Sequence, residues 1–379
     1  MPEGHIDRRA PANRFHRDPE RSYTLPASHY FDPEVYAREK EAIFYRSWNF
    51  VCHGEQLRAA GNYVTSAIGD QNILVMRGKD GKLRGFYNVC SHRAHELLRG
   101  CGTAKVITCP YHAWSYHSDG RLRTARGSEK VAGFDADEFC LKQVQVEELC
   151  GFVFVNLDPQ APSLKAQSGE LENEFRRYCP EIDRLTLSHR LTYELKANWK
   201  NVADNFLECY HCSPAHPAFV DLVDIKNYRT VTHGIYSSHI APAGRADNTA
   251  YHIPAGTPTA FAAWWLWPNV TFNTFPGPAN MTVLHIMPTG PETVLEHFDL
   301  YSLDKTPSEC EREAMKYIND VLQPEDIGLV ESVQRGLHSR GYRQGRFIVD
   351  KDRTHLSEHG VHHFHGLVLE ALGEMPPSP

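Results

Sequence analysis

Residues 83–116 read LRGFYNVCSHRAHELLRGCGTAKVITCPYHAWSY. The run Leu83–Val89 has strand composition and ends on Cys90-Ser91-His92, and the shorter run Lys105–Thr108 ends on Cys109-Pro110-Tyr111-His112. Two strand-end loops therefore each present one thiol and one imidazole. Structural zinc sites usually keep like ligands together, as C-x₂₋₄-C and H-x₃₋₅-H pairs. Mixed pairs suit a centre whose two metals differ in ligation, with two cysteines on one iron and two histidines on the other. The plain alternative is packed cysteines beside surface histidines, and two matching loops argue against it.

Around these loops, short β runs at Tyr63–Ile68, Asn72–Arg77 and Gly151–Leu157 alternate with turn signals such as Lys79-Asp80-Gly81 and Ser118-Asp119-Gly120. They predict an all-β domain over residues 45–158. The polar residues 1 to 22 predict a loosely ordered arm, and Asp32–Ser47 a helix, so residues 1–44 form an N-terminal extension expected to pack on the second domain. After Pro159–Glu170, runs at Leu191–Ala197, Tyr228–Ile240, Trp264–Thr274, Met281–Pro288 and Thr293–Leu303 predict one antiparallel sheet. Thr306-Pro307-Ser308-Glu309 predicts a capping box that opens a helix to Asp320, and a second helix follows from Pro324 to Arg340. Residues 159–379 are thus a second domain, its end Met375–Pro379 frayed, and the fold class is α+β.

Composition sets the limits. A chain of 379 residues with 41% hydrophobic and 23% charged residues has length for two domains and is neither disordered nor fibrous. A net charge of −7 gives no basic footprint for nucleic acid or anionic lipid. The N-terminal stretch MPEGHIDRRAPANRFHRDPE has no apolar core, and no apolar run is long enough to span a bilayer, so a cytoplasmic location is expected. There the 10 cysteines are expected to be reduced thiols or metal ligands, with Cys101 a buried spectator.

A second constellation lies in NWKNVADNFLECYHCSPAHP, residues 198–217. A helix through this segment places Glu208 and His211 on one face, and Pro214 ends it near Cys212, releasing His216 to converge with His211 on one ion. Spacing alone leaves both histidines open to a surface role, and Glu208 to that of a solvated helix charge. Cys209 and Cys212 are read as two small thiols in packing positions.

Together these motifs resemble the large (alpha) subunits of Rieske non-haem iron oxygenases, the ring-hydroxylating oxygenase family, over roughly residues 30–370. The loops resemble the Rieske 2Fe-2S signature. His95 and Tyr111 stand where respiratory Rieske proteins carry a disulfide pair, so the oxygenase and ferredoxin branch is the nearer likeness. The 198–217 segment resembles the catalytic stretch NWK…EN-x₂-E/D-x-YH-x₄-HP, with Asp204 where glutamate is common. The resemblance implies a Rieske cluster on Cys90, His92, Cys109 and His112, and a mononuclear Fe(II) held by His211, His216 and an acid of a late helix. That acid is Asp326, with Glu325 and Glu331 as alternatives.

It further implies an all-β Rieske domain, a helix-grip (START-like) catalytic domain, and a homotrimer in which the cluster of one chain serves the iron of the next, with Glu208 bridging the centres. Electrons would come from an NAD(P)H-dependent reductase of flavin and ferredoxin type. Glu208, ECYHC and CPYHAWSY are similar to the branch acting on quaternary ammonium compounds such as carnitine, glycine betaine and proline betaine. The expected function is therefore a terminal oxygenase that hydroxylates or N-demethylates a betaine-like substrate. An aromatic-ring hydroxylating mono- or dioxygenase is the alternative, and a non-catalytic Rieske electron carrier is an alternative of another class. Trp265 and Trp267 share a strand face and are candidates to hold a methylammonium group, with sheet core as the competing role. The late histidines His362, His363 and His365 offer a third metal site or, more simply, packing.

Overall fold

The computed structural model describes residues 13–376 apart from Ala246. Residues 1–12 of the N-terminal arm and 377–379 of the C-terminal end lie outside the described residues. Its first seven-stranded sheet runs Asn49–His53, Phe152–Asn156, Gln143–Leu149, Leu83–Tyr87, Gln71–Arg77, Asn62–Ile68, Cys101–Thr103 in spatial order. A small three-stranded sheet, Ile107–Thr108, Ser115–Tyr116 and Leu122–Thr124, carries the second cysteine loop. Leu74, Met76, Phe86, Ile107 and Tyr116 form one apolar cluster that also takes in Cys90 and Cys109. The strand-end loops thus spring from a packed base.

The second sheet is fully antiparallel and also has seven strands, from Thr186–Leu195 at one edge through Thr293–Ser302, Asn280–Gly290, Val270–Thr274, Phe261–Leu266 and Tyr236–Ala241 to Arg229–Thr232. Two expected long runs are each two strands. The run 228–240 breaks into a hairpin at His233-Gly234-Ile235, and 264–274 breaks at Trp267-Pro268-Asn269, where proline cannot donate to the ladder. Register then sorts the side chains. Trp264 and Phe272 pair across strands and pack with Phe175 and Phe154 on one face, while Trp265, paired to Thr271, points to the helical face and meets Phe364.

Helical boundaries also shift. The cap expected at Thr306 is at Ser308, which forms a capping box with Glu311 and opens Glu309–Tyr317. That helix passes through a π-helical turn, Ile318–Leu322, directly into Gln323–Leu337, so Asp326 follows a π segment rather than a capped N-terminus. The described part of the arm is docked, not loose: Phe15 is buried and stacks on His362, and Tyr23 bridges to Arg346. The Pro33–Glu39 helix is bolted on by a buried ion pair, Lys200 Nζ to Glu39 Oε1 at 2.5 Å, with the Trp199 indole N–H donating to Glu39 Oε2.

Candidate active site

The two cysteine loops are built alike. In each, the backbone N–H four residues on closes a turn onto the cysteine carbonyl, Ala94 to Cys90 and Ala113 to Cys109, both 3.0 Å. Both alanines sit in the left-handed region, φ 56° and 60°, which non-glycine residues enter only when the surroundings hold them there. Cys90 and Cys109 are buried, while the His92 and His112 rings sit farther out with centroids 4.7 Å apart. The Tyr116 hydroxyl lies 3.2 Å from Cys90 Sγ and accepts the Ser91 N–H, fixing the inner end of the first loop. Two inner thiols and two outer imidazoles fit a cluster whose inner iron is sulfur-ligated and whose outer iron is nitrogen-ligated. Cys101, expected to be buried, is exposed on its edge strand.

The second constellation forms by a different local route from the one the helical reading implies. The Trp199–Phe206 helix, N-capped by Asn198, stops at Leu207. Glu208 folds its carboxylate back onto the chain, where Oε2 accepts the N–H groups of Tyr210 and His211 and Oε1 pairs with His211 Nδ1. A side chain that takes up local N–H groups competes with helix continuation, so the helix does not reach Cys212. Cys209 and Cys212, expected as free thiols, form a disulfide across Tyr210 and His211. His216 then sits between two short helices, Cys212–Ala215 and Pro217–Leu222.

The expected ligands converge. His211, His216 and Asp326 are the one group of three or more such side chains, among the described residues, whose ligand atoms lie within 4.8 Å of one another. Asp326 Oδ1 is 3.0 Å from His216 Nε2 and 3.7 Å from His211 Nε2. Glu325 instead faces the other nitrogen of His216, Oε2 to Nδ1 at 2.8 Å, and Glu331 is used elsewhere, accepting the Lys196 N–H. Asn205 donates to Asp326 Oδ1 at 3.0 Å. Gln334 sets the helical register: its Oε1 accepts from Asn198 N and Asn201 Nδ2, its Nε2 donates to Tyr30 O and Glu292. Burial disfavours a charged His216, yet the hydrogen bonds its ring donates to the Asp326 and Glu325 carboxylates, together with their negative charge, outweigh it and push its pKa up to about 9. Two imidazoles and one carboxylate, leaving other faces open, suit a divalent iron.

Beside this triad lies a cleft of about 640 Å³, its open mouth included. Phe206, Tyr228, Phe261, Phe275 and Phe298 line it, with Thr271 and Asn273, and no lysine or arginine does so among the described residues. Trp265 and Trp267 are not part of this lining; they pack against Phe364 as core. The late histidines are likewise structural. His362 bonds the His16 carbonyl, His363 that of Gly234, and His365 joins Asp204 and the Tyr30 hydroxyl in a buried network.

Residues 47–135 match the Rieske [2Fe-2S] domain, and residues 182–374 match the ring hydroxylating alpha subunit (catalytic domain). The chain belongs to the Rieske ring-hydroxylating oxygenase alpha-subunit family. It is 44% identical over 360 residues to the carnitine monooxygenase oxygenase subunit of Escherichia coli strain K12, covering 94% of this chain and 96% of that protein. To the chloroplastic choline monooxygenase of Spinacia oleracea it is 31% identical, covering 93% of this chain and 79% of the relative. A quaternary ammonium Rieske monooxygenase of known structure superposes with a TM-score of 0.89 at 40% identity, covering 96% of this chain and 99% of the other. Naphthalene 1,2-dioxygenase from Rhodococcus sp., at 22% identity and TM-score 0.79, shares the fold. As a family member the chain is an oxidoreductase with a Rieske 2Fe-2S cluster and a mononuclear non-haem iron, and an electron-carrier role without catalysis falls away. No described helix is long and apolar enough to cross a membrane.

Proposed function

We propose that this chain is the terminal oxygenase component that hydroxylates a small quaternary-ammonium, betaine-like substrate at a carbon next to nitrogen. The aromatic cleft beside the triad carries this reading: its rings attract a methylammonium group by about 0.5–2 kcal/mol each, and no lysine or arginine in the lining repels it. The likeness to carnitine and choline monooxygenases supports the quaternary-ammonium substrate class. One oxygen atom of O₂ enters the substrate C–H bond and the other leaves as water, using two electrons and two protons. The resulting carbinol on the carbon next to nitrogen collapses with C–N cleavage. Hydroxylation of an N-methyl group gives formaldehyde and the demethylated amine; hydroxylation of a chain carbon gives an aldehyde and a free tertiary amine.

In this reading Cys90 and Cys109 hold one iron of the cluster and His92 and His112 the other, while His211, His216 and Asp326 hold the mononuclear iron. When bound, the iron would supply dioxygen activation and the cluster would supply electrons one at a time. The protein residues hold geometry: Glu208 fixes His211 through Nδ1, Asn205 steadies Asp326, and the Phe and Tyr rings keep the cleft dry. The electrons enter from an NAD(P)H-dependent reductase of flavin and ferredoxin type.

The chain assembles as a homotrimer, and Glu208 connects His211 to a cluster histidine of the neighbouring chain. Two observations favour this arrangement. No hydrogen bond among the described residues joins the cluster loops to residues 199–216, and each centre presents an exposed tyrosine beside it, Tyr111 and Tyr210. A related quaternary ammonium Rieske monooxygenase is itself described as using inter-subunit electron transfer.

The test is oxygen uptake with a surrogate reductase across betaines and aromatic acids, scoring formaldehyde and free tertiary amine. Uptake coupled to C–N cleavage of a betaine supports the proposal, and coupled uptake with aromatic acids alone refutes it. His92→Ala and Cys109→Ala should lose the Rieske spectrum, and His211→Ala, His216→Ala and Asp326→Ala should lose mononuclear iron but keep that spectrum.

A further inference from the structure

We infer that Glu325 is a positioning residue: its carboxylate accepts the Nδ1–H of His216 and so fixes the tautomer and ring angle that present Nε2 to the metal position. This rests on the reading of His216 and Asp326 as metal ligands.

Four observations carry it. Glu325 Oε2 stands 2.8 Å from His216 Nδ1, while Asp326 Oδ1 stands 3.0 Å from Nε2 of the same ring. Consecutive residues of one helix thus address opposite edges of one imidazole, and only the Asp326 side also faces His211. The His216 side chain is only 3% exposed, so water cannot readily replace Glu325 at Nδ1. His211 shows the same pattern, with Glu208 on Nδ1 and Nε2 turned to the common point. Each imidazole therefore has its own carboxylate behind it, one from three residues away and one across 109 residues of sequence.

Glu325 thereby belongs outside the ligand set. An imidazole hydrogen-bonded at its remote nitrogen to a carboxylate is a stronger and better-oriented ligand, and loss of such a partner typically lowers metal affinity 10–100-fold. The π-helical turn Ile318–Leu322 carries an extra residue per turn just before these acids and so sets their rotation relative to the preceding helix.

The test uses full-length protein with its cluster intact and the mononuclear iron removed, equilibrated by dialysis against graded Co(II) with bound cobalt read by metal analysis. Glu325→Ala should weaken Co(II) binding about 10–100-fold. Glu325→Gln, which keeps an acceptor oxygen at nearly the same reach, should recover much of that loss with an unchanged thermal midpoint. Recovery by glutamine separates positioning from a mere helix defect. His216→Ala and Asp326→Ala, measured alongside, should weaken binding far more than Glu325→Ala. Affinity within twofold of wild type in Glu325→Ala would overturn the inference. So would a loss as deep as in Asp326→Ala, which would make Glu325 a ligand. If His216→Ala and Asp326→Ala bind Co(II) like wild type, the ligand reading itself fails and this inference falls with it.

Discussion

Gly360 lies against the carbonyl of Leu207: a Cβ at residue 360 would stand 2.4 Å from that oxygen, closer than real contacts allow. The His359–Leu372 helix is therefore seated by a glycine on the point where the Trp199–Phe206 helix ends and Glu208 turns back. Gly360→Ala should cost about 1–3 kcal/mol by overpacking, even though alanine favours helix, and should lower mononuclear iron content. Gly366→Ala, whose Cβ would meet only Phe15 at 3.7 Å, is the control. Urea unfolding and metal analysis of both variants check this; equal behaviour would show that the close approach does not matter.

The buried pair Lys200–Glu39 ties the N-terminal helix to the ligand-bearing segment, both side chains being 0% exposed. Lys200→Met leaves the Glu39 carboxylate buried with only the Trp199 indole as donor, and should destabilise by about 3–5 kcal/mol. Glu39→Gln together with Lys200→Met should recover most of that loss. A double-mutant cycle in urea decides; a double variant as unstable as Lys200→Met would contradict it.

Acid should unfold the catalytic domain through buried neutral histidines. Burial pushes the pKa of His239 and of His285 down to about 3, against an ordinary value near 6.5. The unfolded chain then binds more protons than the folded one, so stability is full above pH 6.5 and falls as pH drops toward 3. Each histidine contributes a slope of roughly 1.4 kcal/mol per pH unit in that window. His285→Phe should flatten the fall by that amount between pH 6 and pH 4, measured by denaturant unfolding; an unchanged slope would show that His285 takes up no proton on unfolding.

Much of this site was legible because chemistry sits where strands end. The Cys90 and Cys109 loops follow recognisable strands, and their mixed ligands favour a two-iron centre over the like-paired ligands usual for zinc. His211 and His216 were legible as a pair, but not the local chain path, because Glu208 capping its own backbone depends on a rotamer rather than a pattern. Strand-like composition also ran straight through the His233–Ile235 and Trp267–Asn269 turns, since β-forming residues stand on both sides of each, as Arg229–Thr232 and Tyr236–Ala241 and as Phe261–Leu266 and Val270–Thr274. Contacts across long sequence separations left no local signal: Glu325 with His216, the docking of Phe15 on His362, and the aromatic lining drawn from separate strands.

Glu208→Gln should keep both metal sites, because the carboxylate touches His211 at Nδ1 and leaves Nε2 free. If it also connects to a neighbour's cluster histidine, the variant should accept electrons from its reductase normally and pass them to the iron very slowly. Glu208→Asp tests reach apart from charge. Product formed in a single turnover by pre-reduced protein is the readout; wild-type rate and yield would leave Glu208 with a structural role alone.

Mixed assemblies show whether the cluster of one chain serves the iron of another, as proposed. Cys109→Ala chains lack a cluster and Asp326→Ala chains lack mononuclear iron, so neither assembly turns over alone. Co-expressed in equal amounts, random head-to-tail trimers place an intact iron beside an intact neighbouring cluster at about one quarter of the interfaces. Betaine turnover is expected at roughly that fraction of the wild-type rate per chain. Verified mixed trimers that remain inactive would contradict it.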